Sequence, residues 1–222
     1  MPGYQVKFQT VTVDGLDYQI RSLSDLQQYA DPLGLAADSG ISSASWPLFG
    51  HLWPSARVLA LFMSRYALAG KRILEIGAGL ALASLVVHRR CGDITVSDWH
   101  PLGKVFLDEN LLLNQLSSLS YRTGNWELPN PDLERFDVII GSDVLYERQQ
   151  PGQLAQFIAS HSTADADIII VDPDRGNRLV FCREMLALGY AVNSWRAEKF
   201  TENGDRYKGR FLQFSRTAVC MA

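Results

Sequence analysis

The sequence predicts an α/β fold: a Rossmann-like, doubly wound sheet of seven strands with a C-terminal antiparallel hairpin, plus an N-terminal β-hairpin extension. Two observations predict it. Short apolar runs, as at residues 73–76 and 94–97, alternate with stretches of helical periodicity, which is typical of buried parallel strands joined by helices. The last two apolar runs, residues 191–196 and 210–215, are joined by a polar stretch without a helical pattern, so we expect them to pair antiparallel.

The N-terminal residues predict an addition to this sheet. Apolar residues alternate on both sides of Asp14-Gly15, a strong turn dipeptide, so residues 4–21 should form a hairpin. Residues 22–45 are rich in glycine and serine and predict a loop. We therefore expect residues 1–45 to be a hairpin and loop extension and residues 46–222 to be the α/β domain.

The remaining elements follow from apolar periodicity. Pro54 is well placed to begin a helix that ends near Tyr66. Further helices are predicted at residues 80–90, 105–116, 153–160 and 177–188, and further strands at residues 121–123, 137–141 and 167–171.

Residues 71–85, KRILEIGAGLALASL, combine a buried strand, a glycine turn and a helix. Such a unit presents a helix N-terminus and bare backbone to a ligand. A dinucleotide fingerprint, G-x-G-x-x-G/A, would need a small residue where Leu82 stands. The pattern is instead E-x-G-x-G-x-A, and this favours a different ligand.

Glu75 adds an acid to the turn formed by Gly77, Ala78 and Gly79. A ligand with both an ammonium and a carboxylate would use the acid and the glycine turn together, and the amino-acid end of S-adenosyl-L-methionine has both groups. The alternative is a tight strand-to-helix turn of the kind found in any α/β protein.

Asp98 ends the next predicted strand, 19 residues after Gly79. An acid about 20 residues past the glycine turn is where a ribose diol is held, because one carboxylate accepts hydrogen bonds from both hydroxyls. Trp99 follows directly and would lie near an adenine ring. The alternative for Asp98 is a helix cap ahead of Pro101. Together the two stretches indicate a nucleoside cofactor, S-adenosyl-L-methionine.

A polar segment, residues 141–147 (GSDVLYE), follows a buried strand where an acceptor site is expected. Methyltransferases directed at adenine or glutamine carry D/N-P-P-Y/F here. In this chain Val144 and Leu145 separate Asp143 from Tyr146, which argues against a flat base or amide as acceptor. The alternatives are a helix cap for Asp143 and a packed aromatic for Tyr146.

Residues 53–215 resemble a known family. The motifs E-I-G-A-G-L-A, S-D-W, N-x-x-x-N, N-W and G-S-D-V-L-Y are similar to those of the seven-β-strand protein lysine methyltransferases. The stretch at residues 52–60 (LWPSARVLA) and the D-P-D-R-G at residues 172–176 most resemble the branch with the electron-transfer flavoprotein β-subunit enzyme and its bacterial relatives. The α/β domain would then be a methyltransferase domain.

The resemblance implies a role for each matching residue. Trp53, which alone would be taken for a core aromatic, and the glycine turn would border the methionine end of the cofactor. Trp126 would flank the adenine and Ser142 would contact the cofactor, while Asp143 and Tyr146 would line a lysine channel. Ala81 departs from the family pattern, in which glycine is common. His51 receives no role and is taken as a surface residue.

The composition excludes several classes. With 47% hydrophobic residues, 20% charged residues and a net charge of −3, the chain predicts an ordinary globular protein without nucleic-acid or membrane partners. Its three cysteines lack metal spacing and predict free thiols and a cytoplasmic location, with no metal site. The oligomeric state is undetermined, with a monomer slightly favoured.

These observations predict an N-methyltransferase that acts on a lysine side chain of a protein by in-line transfer. Asp143 would orient the amine rather than act as a base, because a carboxylate of pKa near ~4 is a poor proton acceptor. The alternatives are a small-molecule N-methyltransferase of the nicotinamide-methylase kind and a catalytically silent module that binds cofactor only.

Overall fold

The computed structural model describes residues 3–127, 130–147, 150–197 and 206–216. Within these ranges nine strands form two sheets. The strands are β1 Val6–Val13, β2 Leu16–Leu23, β3 Arg72–Ile76, β4 Asp93–Asp98, β5 Ser120–Thr123, β6 Phe136–Ser142, β7 Ser162–Asp172, β8 Ala191–Arg196 and β9 Arg210–Ser215.

The larger sheet has seven strands in the order β5-β4-β3-β6-β7-β9-β8. The pairs from β5 to β7 are parallel, and β9 lies antiparallel between β7 and β8. The predicted seven-stranded Rossmann-like sheet with a C-terminal antiparallel hairpin is confirmed. The strand order reverses direction between β3 and β6, and ligands bind at such a switch point in open α/β sheets.

Helices cover both faces of this sheet. They are α1 Leu35–Asp38, α2 Pro54–Met63, α3 Leu82–Arg89, α4 Gly103–Leu113, α5 Gln150–His161 and α6 Arg178–Ala187, with a 3₁₀-helix at Trp46–Gly50. Alternate residues of each strand point to opposite faces. Ile73 and Ile140 join a core with α2, α3 and α4, whereas Leu74 and Ile139 join a second core with α5 and α6.

The smaller sheet is the predicted N-terminal hairpin. Asp14 and Gly15, the turn residues between β1 and β2, both have positive φ, as the tight turns that suit paired strands require. Tyr18, Ile20 and Leu23 of β2 are buried in the core that contains α2 and α3. The extension therefore shares its core with the main sheet.

The predicted elements agree with the observed ones to within a few residues at most boundaries. Residues 22–45, predicted as a loop, contain the short helix α1, and the 3₁₀-helix follows them. Of the polar stretch between β8 and β9, residues 198–205 lie outside the described residues. No helix in the described ranges is long and apolar enough to span a membrane.

Candidate active site

One cavity of about 520 Å³ lies at the carboxyl ends of β3, β4 and β6, a volume typical of small-molecule sites. All but one of the predicted site residues line it. These are Trp53, Gly77, Ala78, Gly79, Asp98, Trp99, Trp126, Ser142, Asp143 and Tyr146. The exception is Glu75.

The glycine turn brings bare backbone against the cavity. Gly77 and Gly79 have φ of 55° and 52°, a left-handed conformation that glycine adopts without strain. A Cβ on Gly77 would come within 2.8 Å of a Val144 methyl group, and one on Gly79 within 2.9 Å of the Phe49 carbonyl oxygen. Ala81 also has positive φ, at 57°, in the position just before α3.

Asp98 connects this turn to the end of β4. Its carboxylate accepts a hydrogen bond from the Gly79 N–H at 2.7 Å and from the His100 N–H at 2.8 Å. Burial raises the pKa of the Asp98 carboxyl, and the backbone N–H groups partly oppose that rise. Helix α4 begins later, at Gly103, with Leu102 before it, so Asp98 does not cap that helix.

Glu75 has a different placement from the one predicted. Its carboxylate is buried beneath the turn and accepts hydrogen bonds from the Ser84 N–H, at 2.8 Å, and from the Ser84 hydroxyl. It is not among the residues that line the cavity. Glu75 thus satisfies an unpaired N–H in the first turn of α3, and its expected contact with a ligand ammonium stays a prediction. Burial raises its pKa to about 7, against the opposing Ser84 hydrogen bonds.

Three tryptophans give the cavity flat apolar walls. The Trp53 indole N–H donates to the Leu48 carbonyl at 2.9 Å, and the Trp99 indole N–H donates to the Ser39 carbonyl at 2.8 Å. Trp126 stands over Gly77, where a Cβ would lie 3.6 Å from its ring. Two of the three walls are thus fixed by backbone carbonyl groups, those of Leu48 and Ser39.

The predicted acceptor residues lie beyond the end of β6. Asp143 has φ of 57°, and its N–H donates to the Val171 carbonyl at 2.8 Å, which fixes it beside β7. Residues 144–147 are not helical, so Asp143 is not the cap of α5. Tyr146 is 45% exposed, and desolvation, with the nearby carboxylates of Asp98 and Glu147, raises its pKa to about 12.

The sequence did not identify several cavity residues. Arg175 pairs with Asp143, its Nε lying 2.6 Å from Oδ1. The signal was the D-P-D-R-G after β7, the strand next to β6, but no role followed from it without the geometry. His51, taken for a surface residue, lines the cavity. His100 also lines it, stacked on Phe49 at 3.6 Å between ring centroids. Burial lowers the pKa of His100 to about 3, so it is neutral.

The charges around the cavity are mostly negative. Its described lining includes four acids, Asp98, Glu127, Asp143 and Glu147, and a single guanidinium, that of Arg175. A low-dielectric cleft lined by one sign of charge attracts ligands of the opposite sign. S-adenosyl-L-methionine carries a sulfonium and an ammonium, so its charges, its nucleoside and its size fit the carboxylates, the aromatic walls and the volume of this cavity.

A sequence model of the lysine methyltransferase family matches residues 37–182, about two thirds of the chain and all of the described cavity lining. The chain belongs to the lysine methyltransferase family. This membership places it among the S-adenosyl-L-methionine-dependent methyltransferases, the class that the sequence predicted.

The sequence identity between this chain and individual relatives is low. The chain is 26% identical over 178 residues to the calmodulin-lysine N-methyltransferase of Arabidopsis thaliana, with 69% of this chain and 57% of that protein covered. It is 27% identical over 160 residues to the protein N-lysine methyltransferase METTL21A of Danio rerio, covering 67% and 73%. A shorter match, 32% over 136 residues, joins it to the histone-arginine methyltransferase METTL23 of Rattus norvegicus, covering 55% and 60%.

A solved structure has the same fold. The methyltransferase from Pyrococcus furiosus superimposes with a TM-score of 0.58 at 18% identity, covering 74% of this chain and 86% of that one. This chain spans only 57% of the length of the calmodulin-lysine N-methyltransferase that it matches.

Proposed function

We propose that this chain transfers a methyl group from S-adenosyl-L-methionine to a lysine side chain of a protein. The observation that carries the proposal is that Asp143 and Tyr146 share one cavity with the glycine turn and Asp98. The proposed sites for donor and acceptor would therefore be adjacent, as a direct transfer between two bound molecules requires.

The residues that would hold the cofactor follow from their contacts. Gly77 and Gly79 would border the methionine end with bare backbone, since both line the cavity and neither has a side chain. The Asp98 carboxylate, already fixed by two backbone N–H groups, would accept from the ribose hydroxyls with its remaining lone pairs. Trp99 and Trp126 offer flat surfaces for the adenine.

The acceptor side supplies orientation and exclusion of water. When bound, the cofactor supplies an electrophilic methyl group: the amine lone pair forms the N–C bond while the C–S bond breaks and leaves its electron pair on sulfur. Asp143 would hold an N–H of the amine, and Tyr146 would pack beside it. The acceptor ammonium loses one proton to water before transfer, and the methylated nitrogen leaves as an ammonium, so that no base on the protein is needed.

The nature of the acceptor is tested by incubating the protein with tritiated S-adenosyl-L-methionine and a cell extract, separated afterwards into protein and small molecules. We expect label in protein, and methyl-lysine after acid hydrolysis. Because one relative is named a histone-arginine methyltransferase, methyl-arginine is the second candidate product and the same hydrolysate distinguishes it. Label confined to small molecules would favour the small-molecule alternative and contradict the proposal.

The cofactor site is tested by calorimetry on Asp98→Ala. We expect S-adenosyl-L-homocysteine to bind the native protein far more tightly than NAD and to bind the variant at least tenfold more weakly, because each bond to a charged acceptor contributes roughly 1.5–3 kcal/mol. Asp108→Ala, which removes an exposed acid of α4, is the control. Unchanged affinity in Asp98→Ala would remove this residue from the cofactor site.

The cellular setting remains a prediction from the sequence. Cys91 and Cys182 are free thiols, as a reducing compartment favours. We propose a cytoplasmic monomer, which fractionation of cells and sedimentation of the purified protein would test.

A further inference from the structure

Arg175 is held in the acceptor half of the cavity from two sides. Its backbone N–H donates to Oδ1 of Asp172, at 2.7 Å, and its side-chain Nε lies 2.6 Å from Oδ1 of Asp143. The Asp143 side chain is 11% exposed and that of Arg175 is 40% exposed. The guanidinium therefore reaches from the solvent side to a carboxylate that is mostly buried.

The groups around this pair come from three segments. Asp172 at the end of β7 and Tyr207 before β9 lie on the side of Arg175, and burial raises the pKa of both. Tyr146, which follows Asp143 along the chain and lines the cavity, interacts with Asp143, Glu147 and Arg175. Arg175 is the single cation in the described lining of the cavity, so it is the partner that balances the charge of Asp143.

The charge of Asp143 matters because methyl transfer needs a lone pair on the acceptor nitrogen. A lysine amine has a pKa near ~10.4 and is an ammonium at neutral pH. A lone carboxylate next to it would raise that pKa further and stabilise the unreactive form. Arginine stays charged at every pH of interest, so its pairing with Asp143 persists.

We propose that Arg175 is a positioning residue for the reaction. By pairing with Oδ1 of Asp143 it offsets the carboxylate charge, so that Asp143 orients the neutral form of the acceptor amine through Oδ2. No described residue donates a hydrogen bond to Oδ2. The acceptor ammonium gives its proton to water before transfer, and Arg175 exchanges none. This inference rests on the proposed function, since it concerns the amine that the enzyme methylates.

The test compares the pH dependence of methyl transfer in Arg175→Met and Arg175→Lys with the native protein, using cell-extract protein as acceptor between pH 6.5 and 10. We expect the rising limb of the Arg175→Met profile to move up by about one pH unit, since an opposite charge at this range shifts a pKa by about 1–3 units. Arg175→Lys keeps the positive charge and should keep the native profile at a lower rate. Arg178→Met, which removes a neighbouring arginine paired with Asp174, is the matched control and should behave as native.

A binding measurement separates this inference from the proposed function. NMR titration of the complex with S-adenosyl-L-homocysteine uses n-butylamine, which imitates a lysine side chain. The native protein should bind it more tightly as pH rises, and Arg175→Met should lose this preference for the neutral amine. Calorimetry should give unchanged S-adenosyl-L-homocysteine affinity in all variants.

Each outcome decides. A uniform loss of rate in Arg175→Met with no displaced profile would reduce Arg175 to a structural support and overturn the inference. If Arg175→Met does not fold, an Arg175→Gln profile that matches the native one would overturn it equally. If the native protein labels no extract protein, the proposed function fails, and the n-butylamine titration still tests Arg175.

Discussion

Two buried carboxylates on neighbouring strands perform different tasks at the glycine turn. Asp98 faces the cavity and fixes the turn by accepting from Gly79, whereas Glu75 lies beneath the turn and accepts from Ser84. Both are buried, and burial raises the pKa of each. Glu75 therefore supports helix α3, and Asp98, one strand away, remains available to a ligand.

Glu75 gives a prediction for stability against pH. Its pKa rises from 4.5 to about 7 on folding, so the fold favours the protonated form. This shift adds at most about 3 kcal/mol to the free energy of unfolding. The contribution is fully present below pH 4.5 and is lost as the pH rises through about 7. Glu75→Gln keeps an acceptor for the Ser84 N–H without the charge. Its melting temperature relative to the native protein should be higher at pH 8 than at pH 5.

Calorimetric melting at the two pH values measures this effect. Glu134→Gln, which alters an exposed glutamate at the surface, is the control and should show little difference between them. An equal effect of Glu75→Gln at pH 5 and pH 8 would show that Glu75 does not titrate in this range.

Asp143 gives a prediction for catalysis. Because Asp143 does not cap a helix, the substitution Asp143→Asn cannot preserve its role through capping. Asp143→Asn should retain S-adenosyl-L-homocysteine affinity and lose methyl transfer on the order of 10²-fold or more, the scale of a lost positioning contact at the reacting centre. Asp174→Asn, an acid of the adjacent loop outside the cavity lining, is the control in the extract assay. Undiminished transfer by Asp143→Asn would remove it from the mechanism.

At the scale of elements, side-chain amides of α4 and of the residue that follows it form hydrogen bonds with the backbone of β2, as a neighbouring strand would. The Asn114 side chain accepts from the Gln19 N–H at 2.9 Å and donates to the Gln19 carbonyl at 2.7 Å. The Asn110 side chain makes the same pair of bonds with the backbone of Arg21. Two amides one helical turn apart thus satisfy one edge of the hairpin, and they hold it against the main domain.

These amides predict how the hairpin is attached. Asn110→Ala should destabilise the protein by about 1–3 kcal/mol, because the backbone groups of Arg21 are left buried without partners. Asn193→Ala, on an exposed face of β8, should cost far less. The double variant of Asn110 and Asn114 should make the hairpin more susceptible to limited proteolysis than the rest of the chain. If Asn110→Ala melts at the same temperature as the native protein, these hydrogen bonds do not attach the hairpin.

At the scale of the whole molecule, residues 4–49, the N-terminal extension together with the start of the α/β domain, complete both the core and the cavity. Trp46 is buried against the rings of Tyr4, Phe49 and His100. The Phe49 carbonyl lies against Gly79, and the Ser39 carbonyl holds Trp99. A domain boundary between residues 45 and 46 stays a prediction from composition. Residues on both sides of it pack in the same hydrophobic core.

This continuity predicts the outcome of truncation. A chain that begins at residue 46 loses five buried apolar side chains of the hairpin: Val11, Val13, Tyr18, Ile20 and Leu23. At about 1.5–3 kcal/mol each, their loss is comparable with the roughly 5–15 kcal/mol that stabilises a whole domain. The truncated chain should show no cooperative unfolding by calorimetry. A cooperative transition near the native melting temperature would instead support residues 46–222 as an independent domain.

The strands and helices were predictable from the sequence because buried parallel strands have continuous apolar runs and helices have a 3.6-residue period. The hairpin was equally predictable from Asp14-Gly15 and its alternating neighbours. The helix α1 was not, since its four residues have no periodicity and depend on the burial of Ala36 and on Asp31, which accepts from the Ala36 and Ala37 N–H groups. The 3₁₀-helix at Trp46–Gly50 lies in an aromatic run whose spacing is typical of neither regular element.

The sequence by itself determined the fold class, the glycine turn and the acids at the ends of β4 and β6, because each depends on residues that are adjacent or a fixed distance apart along the chain. Only the tertiary structure decided which way those side chains point. Glu75 turns inward to Ser84, because a strand residue faces one layer or the other according to its register. Arg175 reaches Asp143 from 32 residues away, because β6 and β7 are neighbours in the sheet and end at the same edge.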